Sequence, residues 1–279
     1  MDTKQFSVAM SVYKNDDPQY FKLALDSIIN QTIQPSEIIV VVDGPILSEM
    51  ADILTEYKSK CEFFKPIYLE RNSGLGNALR MAVEASSYEL IARMDSDDIS
   101  LPDRFEKQIK CFEQDDNLSL LGGNISEFVG DEKNIIDIKA VPTDDKKIRH
   151  YLKRRCPFNH MTVMLKKSDV LKAGNYKEWF QDEDYYLWIR MYETGCCFRN
   201  LPEILVNVRT GVDMYKRRGG MKYFKSEVKI QKYMFDRKII NFVRYACNVG
   251  IRFVVQILMP NNLRGYVYKY FARENPVDL

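Results

Sequence analysis

The chain has 279 residues, is 46% hydrophobic and carries a formal net charge of only +2, which excludes a disordered polyelectrolyte and allows one large α/β domain or a domain with an appendage. The charge is polarised: from Leu201 onward 15 Lys and Arg stand against 6 Asp and Glu, leaving 26 against 33 in the rest. An acidic body with a basic tail suits a membrane or another anionic partner.

The six cysteines form no C-x-x-C pair and no cluster with zinc spacing, so a reduced, cytoplasmic chain is expected. The N-terminus runs directly into an apolar strand pattern, which argues against a signal peptide. No apolar run reaches the roughly 18–20 residues of a bilayer span. The longest late run, "ACNVGIRFVVQILMP", is broken by Arg252 and ended by Pro260.

"FSVAMSVY" (6–13) reads as a buried strand. A helix follows, with Asp17 as N-cap, Pro18 in its first turn, and Phe21, Leu25, Ile28 and Ile29 at helical spacing. "EIIVVV" (37–42) is a β-branched run that fits a parallel strand covered on both faces. A helix over 46–59, a strand near "FFKPIYLE", the turn "RNSGLG" (71–76) and a helix over "NALRMAVEAS" come next. "YELIARM" (88–94) is a further strand, and it delivers the acidic turn "DSDD" (95–98). "LPDRFEKQIKCFEQ" restarts a helix near Pro102. In the second half, "LSLLGGNISEFV" and "HMTVMLKK" look like strands, "SDVLKAGNY" like a short helix capped by Ser168, and "DEDYYLWIRMYETG" like a helix.

The β-α-β-α-β order calls for right-handed crossovers and a mostly parallel sheet. Ligands of such sheets bind at the carboxyl ends of the strands. The loop after Tyr13, Asp43 and Asp95 all fall at such ends. Carboxylates crowded on a turn need a cation, and a hard Mg²⁺ or Mn²⁺ ion takes one or two of them while phosphate oxygens fill other positions. D-x-D after a strand therefore fits a metal–diphosphate site, although a solvated acidic turn that caps the next helix has the same pattern. Arg93 reads either as a structural partner of these acids or as a substrate contact.

The ordered set "FSVAMSVYKND", "LALDSIINQT", "PSEIIVVVDGP", "NSGLGNAL", "YELIARMDSDDISLPDRFEKQ", "FNHMTVMLKKSDVLKAGNY" and "EDYYLWIRMYETG" resembles the family 2 glycosyltransferases of the GT-A fold. Within that family it is similar to the bacterial enzymes that build capsule, exopolysaccharide and O-antigen repeats. The resemblance covers roughly residues 5–210. It implies a GT-A domain over 1–210, with a nucleotide-binding half (about 1–100) and an acceptor half (101–210), followed by a basic helical extension over 211–279.

By this resemblance the donor is a UDP-sugar. Asp43 would hydrogen-bond the base, beside Ser11 and Tyr13 at the nucleotide edge. Asn72 and Gly74 in "RNSGLG" would lie over the nucleotide. Asp95 would reach the ribose and the metal, Asp97 would bind the metal directly, and Asp98 would orient the loop or cap the helix. Asp184 of the Glu183-Asp184 pair would be the general base of a single displacement with inversion. An acidic first turn favoured by the helix dipole is the structural alternative for this pair. His160 and Glu183 would contact acceptor or diphosphate, and Arg93 and Arg209 the donor, Arg209 from a closing loop with the glycines of "YKRRGG" as hinge.

After about Gly211 the chain is basic, aromatic and helical. Lys222, Lys225, Lys229 and Lys232 recur along one helix, and "RFVVQILMP" and "YVYKYF" follow. That suits a membrane-surface helix serving an acceptor on undecaprenyl diphosphate, or a tail packed on its own domain. No nucleic-acid module is present. A nucleotidyltransferase and a silent sugar-nucleotide-binding module are the alternatives. The "EDYYLW" motif and the lack of a Gly-Lys phosphate signature oppose the first, and intact Asp95, Asp97 and Asp184 oppose the second.

Overall fold

The computed structural model describes residues 5–211 and 219–260. Strands β1 (Phe6–Val12), β2 (Glu37–Val42), β3 (Phe64–Tyr68) and β4 (Leu90–Arg93) alternate with helices α1 (Pro18–Ile29), α2 (Ser48–Lys60) and α3 (Leu75–Ala85). There follow β5 (Ile99–Ser100), α4 (Arg104–Gln114), β6 (Leu118–Phe128), β7 (Ile135–Lys139), α5 (Asp145–Leu152), β8 (Met164–Lys166), α6 (Lys167–Lys172), α7 (Glu183–Glu193) and β9 (Cys197–Arg209). Two further helices, α8 (Met221–Asp236) and α9 (Phe242–Phe253), precede a π-helical turn at Val254–Leu258.

The strands form one sheet in the order β3-β2-β1-β4-β8-β6-β9-β5, with β7 paired to β6. The first four are parallel. The second half is mixed, because β8 runs antiparallel to β4 and β6, while β6 and β9 run parallel. The uninterrupted apolar run of β2 follows from cover on both faces. Ile38, Val40 and Val42 join Phe21, Leu25 and Leu54 on one side, and Ile39 and Val41 join Leu79 and Val83 on the other. Asp17 caps α1 as expected, accepting from the backbone N–H groups of Gln19 and Tyr20.

Several local expectations differ from the structure. Within "HMTVMLKK" only Met164–Lys166 is strand, and His160–Thr162 forms a 3-10 turn. Ser168 lies inside α6 instead of capping it, because its hydroxyl donates to Glu89. Asp95, Asp97 and Asp98 do not cap α4, whose N-cap is Asp103. Arg209 is the last residue of β9 and not part of a loop. Residues 215–218 of "YKRRGG", and "YVYKYF", lie outside the described residues.

The tail helices pack on the sheet domain. Ile230, Met234 and Ile240 share a core with Leu187, Trp188 and Met191 of α7. The Ser226 hydroxyl donates to the Phe180 carbonyl at 2.7 Å, and Arg252 pairs with Glu227.

Candidate active site

Parallel pairing of β1, β2 and β4 brings their C-terminal ends to one edge. Val12 lies beside Val42, and Ala9 beside Arg93. Three polar loops leave that edge. Ser11, opposite Val41, is half-buried, and Tyr13 beyond it is 39% exposed.

At the end of β2, the buried Asp43 carboxylate organises "RNSGLG". One oxygen accepts from the Ser73 N–H at 2.7 Å and the Ser73 hydroxyl at 3.0 Å, and the other from the Gly74 N–H at 3.0 Å. Asn72 Nδ2 donates to the Asp43 carbonyl at 3.3 Å. The packing is so close that a Cβ on Gly44, whose φ is +88°, would lie 2.5 Å from the Asn72 nitrogen. Gly74 (φ +91°) leaves room for the Glu178 carboxylate, which would lie 2.5 Å from its Cβ. Burial raises the pKa of that carboxyl, and the Asn77 and Gly76 N–H groups at the start of α3 oppose the rise.

The acidic turn is built around a buried guanidinium. Arg93, 3% exposed, gives one N–H to Asp95, while its Nε and Nη1 have no hydrogen-bond partner among the described residues. Asp95, Asp97 and Asp98 can each present a carboxylate oxygen within 4.8 Å of the others. Asp97 reaches solvent, yet surrounding protein desolvates it and the Asp95 and Asp16 charges repel it, pushing its pKa up to about 6. Burial, with Asp95 and Asp97 adding repulsion, pushes Asp98 well up.

Asp98 is buried and accepts from the backbone N–H of Arg209 at 2.9 Å, so it ties the turn to the end of β9. The pairing of Ile99 with Asn207 reinforces that tie. The Arg209 side chain clasps the same turn. It donates to the Asp97 carbonyl at 3.3 Å and the Gly130 carbonyl at 3.0 Å, and its guanidinium lies 3.8 Å above the Tyr20 ring centroid. Asp16 joins from the β1 loop, accepting from the Tyr13 N–H at 3.1 Å and the Ser96 hydroxyl at 2.9 Å. Burial pushes its carboxyl up to about 6.

The second acidic group opens α7. Asp184 accepts from the Tyr185 N–H at 2.6 Å and from the Cys156 thiol at 3.5 Å. Burial raises its pKa, and the Tyr185 N–H and the Arg93 charge oppose the rise. Glu183 is pushed up to about 8 by burial and then by Asp184. Asp182 is pushed up to about 9 by burial and then by Glu227. The Arg93 field thus acts on both carboxylate groups, lowering the pKa of Asp97, Asp98, Glu183 and Asp184 alike. His160 is half-buried, bonds Tyr176 Oη at 2.9 Å and packs edge-on to Trp188. Desolvation and the nearby Arg93 charge hold it neutral.

The structure therefore gathers Arg93, Asp95, Asp97, Asp98 and Arg209, and places His160, Glu183 and Asp184 within the field of Arg93. Asp43, Asn72 and Gly74 form a second nest, linked through Glu178, which feels Asp43 and is felt by Glu183. Sequence reasoning missed Asp16, Cys156, Glu178 and Asp182. Asp16 stood beside the stronger capping signal of Asp17, and the others owe their place to contacts across the chain.

The Glycosyl transferase family 2 sequence model matches residues 7–173. The chain belongs to this family. Among its relatives, a UDP-Gal:alpha-D-GlcNAc-diphosphoundecaprenol beta-1,3-galactosyltransferase of Escherichia coli is 35% identical, with 98% of each chain covered. The amylovoran biosynthesis glycosyltransferase AmsE of Erwinia amylovora is 36% identical over 95% of this chain and 98% of its own. An uncharacterized glycosyltransferase of Haemophilus influenzae is 37% identical over 97% and 100%. Among solved structures, S. aureus TarS shares the fold with a TM-score of 0.63 at 16% identity, covering 95% of this chain and 46% of TarS. A shorter TarS in complex with UDP-GlcNAc gives the same TM-score over 90% of this chain and 72% of its own. This family 2 glycosyltransferase therefore has a GT-A-like α/β fold, and its named relatives serve bacterial surface-polysaccharide synthesis.

Proposed function

We propose that this glycosyltransferase moves a hexose from a UDP-sugar to a sugar carried on undecaprenyl diphosphate, with inversion, at the cytoplasmic face of the inner membrane. Residues 1–210 are read as the catalytic domain, divided near residue 100 into nucleotide and acceptor halves, and 211–279 as a basic extension. The observation that supports the reading is the buried Arg93, paired with Asp95 of the acidic turn, whose charge also opposes the rise of the Asp184 carboxyl. The E. coli relative, named for a UDP-Gal donor and a GlcNAc-diphosphoundecaprenol acceptor, supports the donor and acceptor classes.

Asp95 and Asp97 are the proposed holders of a Mg²⁺ or Mn²⁺ ion. Their fit rests on an all-oxygen donor set, with Asp98 beside them, whose atoms converge within 4.8 Å, and on the burial and Asp95 repulsion that raise the Asp97 carboxyl. When bound, the ion would offset the negative charge of the diphosphate. Asp43, Ser11, Tyr13, Asn72 and Gly74 form the proposed nucleotide wall.

Asp184 takes the acceptor hydroxyl proton as that oxygen bonds the anomeric carbon. The bond from that carbon to the diphosphate breaks, and its electron pair leaves with UDP. The Cys156 thiol and the Tyr185 N–H hold the Asp184 carboxylate in place. Its raised pKa makes it a better proton acceptor than a solvated Asp. His160, neutral and fixed by Tyr176, and Glu183 are the proposed acceptor or diphosphate contacts.

The test is turnover by purified protein with Mn²⁺ or Mg²⁺, a panel of UDP-sugars and a diphosphate-linked lipid sugar. Anomeric configuration of the product is read by NMR. UDP release with an inverted anomer is expected. A retained anomer would overturn the single displacement, and no transfer from any UDP-sugar would overturn the donor class.

A further inference from the structure

Helix α9 is amphipathic in the opposite sense to a surface helix that meets water. Its inner side is polar. Asn248 is 5% exposed and donates to the Lys153 carbonyl and to Gln231, while Arg252 bonds Glu227 and the Arg154 carbonyl. Its outer side is apolar. Val243, Cys247, Ile251, Val254 and Leu258 recur at three- and four-residue spacing through the helix and the following π turn, and all are exposed. Val243 is 68%, Ile251 62% and Leu258 62% exposed, with Phe242 beside them at 66%. A helix that buries its polar groups and presents its aliphatic ones outward is built to meet an apolar phase.

Cations lie on the elements that pack against α9. A cleft at the start of α9 is lined by Lys153, Arg244, His150 and Asn241 together with the apolar Ile239 and Ile240. The neighbouring α8 exposes Lys222, Lys225, Lys229 and Lys232 along one side, with Lys232 paired to Asp236 and Lys222 over the Phe180 ring. Phe224 of α8 and Phe253 of α9 pack edge to face and hold the two helices together. This charge pattern complements anionic headgroups. A symmetric second copy would bring like-charged rows toward each other.

Residues 242–258 extend about 25 Å as a helix, and Arg252 sits within them, so the segment is too short and too charged to cross a bilayer. Among the described residues no helix is long and apolar enough to cross a membrane. We propose that the outer face of α9 and its π turn lies in the headgroup–acyl boundary of an anionic bilayer, with the α8 lysines and the His150–Arg244 cleft on the headgroups.

This deepens the proposed function, since it names the surface that meets the membrane carrying the acceptor. Its readout needs no turnover, so the two readings fail separately. Full-length protein is sedimented with vesicles of phosphatidylcholine plus phosphatidylglycerol, and with phosphatidylcholine alone. Binding to the anionic vesicles, weakened by salt, is expected.

The double substitution Ile251→Glu with Val254→Glu changes two exposed side chains and should leave the unfolding temperature and UDP binding unchanged. It should lower vesicle affinity by more than about tenfold. Lys225→Glu with Lys229→Glu should lower binding to the anionic vesicles only. Wild-type protein that stays in the supernatant, or an Ile251/Val254 variant that sediments like wild type, would overturn the inference. So would a wild-type dimer that the apolar variant dissociates without vesicles, since that outcome gives the face to a second copy.

Discussion

Arg93 and Asp95 form an ion pair at the C-terminal end of β4, with the guanidinium buried and the carboxylate partly open to solvent. The pair bears on how Asp95, Asp97 and Asp98 tolerate their crowding. One internal positive charge offsets part of their repulsion from beneath. Asp95→Asn removes the one carboxylate paired directly with Arg93 and leaves the buried guanidinium only the unpaired carboxylates around it. The variant should lose about 3 kcal/mol of stability in urea unfolding. Unfolding at the wild-type midpoint would show that the pair contributes nothing.

Asp184→Asn keeps the size of the side chain and removes its basicity. Donor binding, followed by calorimetry with UDP, should be unchanged, while kcat for transfer falls by at least about 10²-fold. Cys156→Ala, which removes a neutral contact to the same carboxylate, should give a smaller loss. Wild-type kcat in the Asp184 variant would move the base elsewhere.

Addition of Mn²⁺ or Mg²⁺ should raise the unfolding temperature in a concentration-dependent way, because an ion that binds only the folded turn stabilises it by mass action. Chelation should reverse the shift. Asp97→Ala should abolish it and weaken metal-dependent UDP binding. A shift of wild-type size in that variant would exclude Asp97 as a metal holder.

Stability should fall as pH rises. Asp182 and Glu183 are held at about 9 and about 8, above their ordinary values near 4, so the folded chain binds more protons than the unfolded chain across that window. Their contribution is complete below pH about 4 and is lost as pH passes through 8 and 9. Asp182→Asn should flatten the decline in unfolding temperature between pH 6 and 9 by a few degrees. Parallel pH curves for wild type and variant would contradict this assignment.

Gly44→Ala places a methyl where the Asn72 backbone nitrogen already stands, at a φ of +88°. The turn over the proposed nucleotide wall must shift. UDP affinity should fall by about tenfold or more, with a stability loss of at least about 1 kcal/mol. Unchanged UDP affinity would separate the turn from the nucleotide.

Much of this site is legible as linear pattern. "EIIVVV" ending at Asp43 and "YELIARM" ending at Asp95 mark buried strands that stop abruptly at polar residues, and the parallel order sends those ends to one edge. Asp17 is legible as a cap because capping is a contact within three residues. Ser168 misleads for the opposite reason: Glu89, a partner 79 residues away, takes its hydroxyl from the local role.

Local periodicity and strand order by themselves determined the parallel half of the sheet, the two acidic motifs and the basic character of the tail. These depend on interactions between near neighbours and on the steric hand of the crossover. Tertiary structure alone decided what each carboxylate does. Asp98 became an anchor because β5 pairs with β9 and brings the Arg209 N–H to it, 111 residues away in the chain. Arg93 became the shared counter-charge because folding buries it near both acidic groups. The outward apolar face of α9 likewise emerges only once Asn248 and Arg252 find inner partners, since a helix's own periodicity shows that it has two faces but not which one the rest of the protein covers.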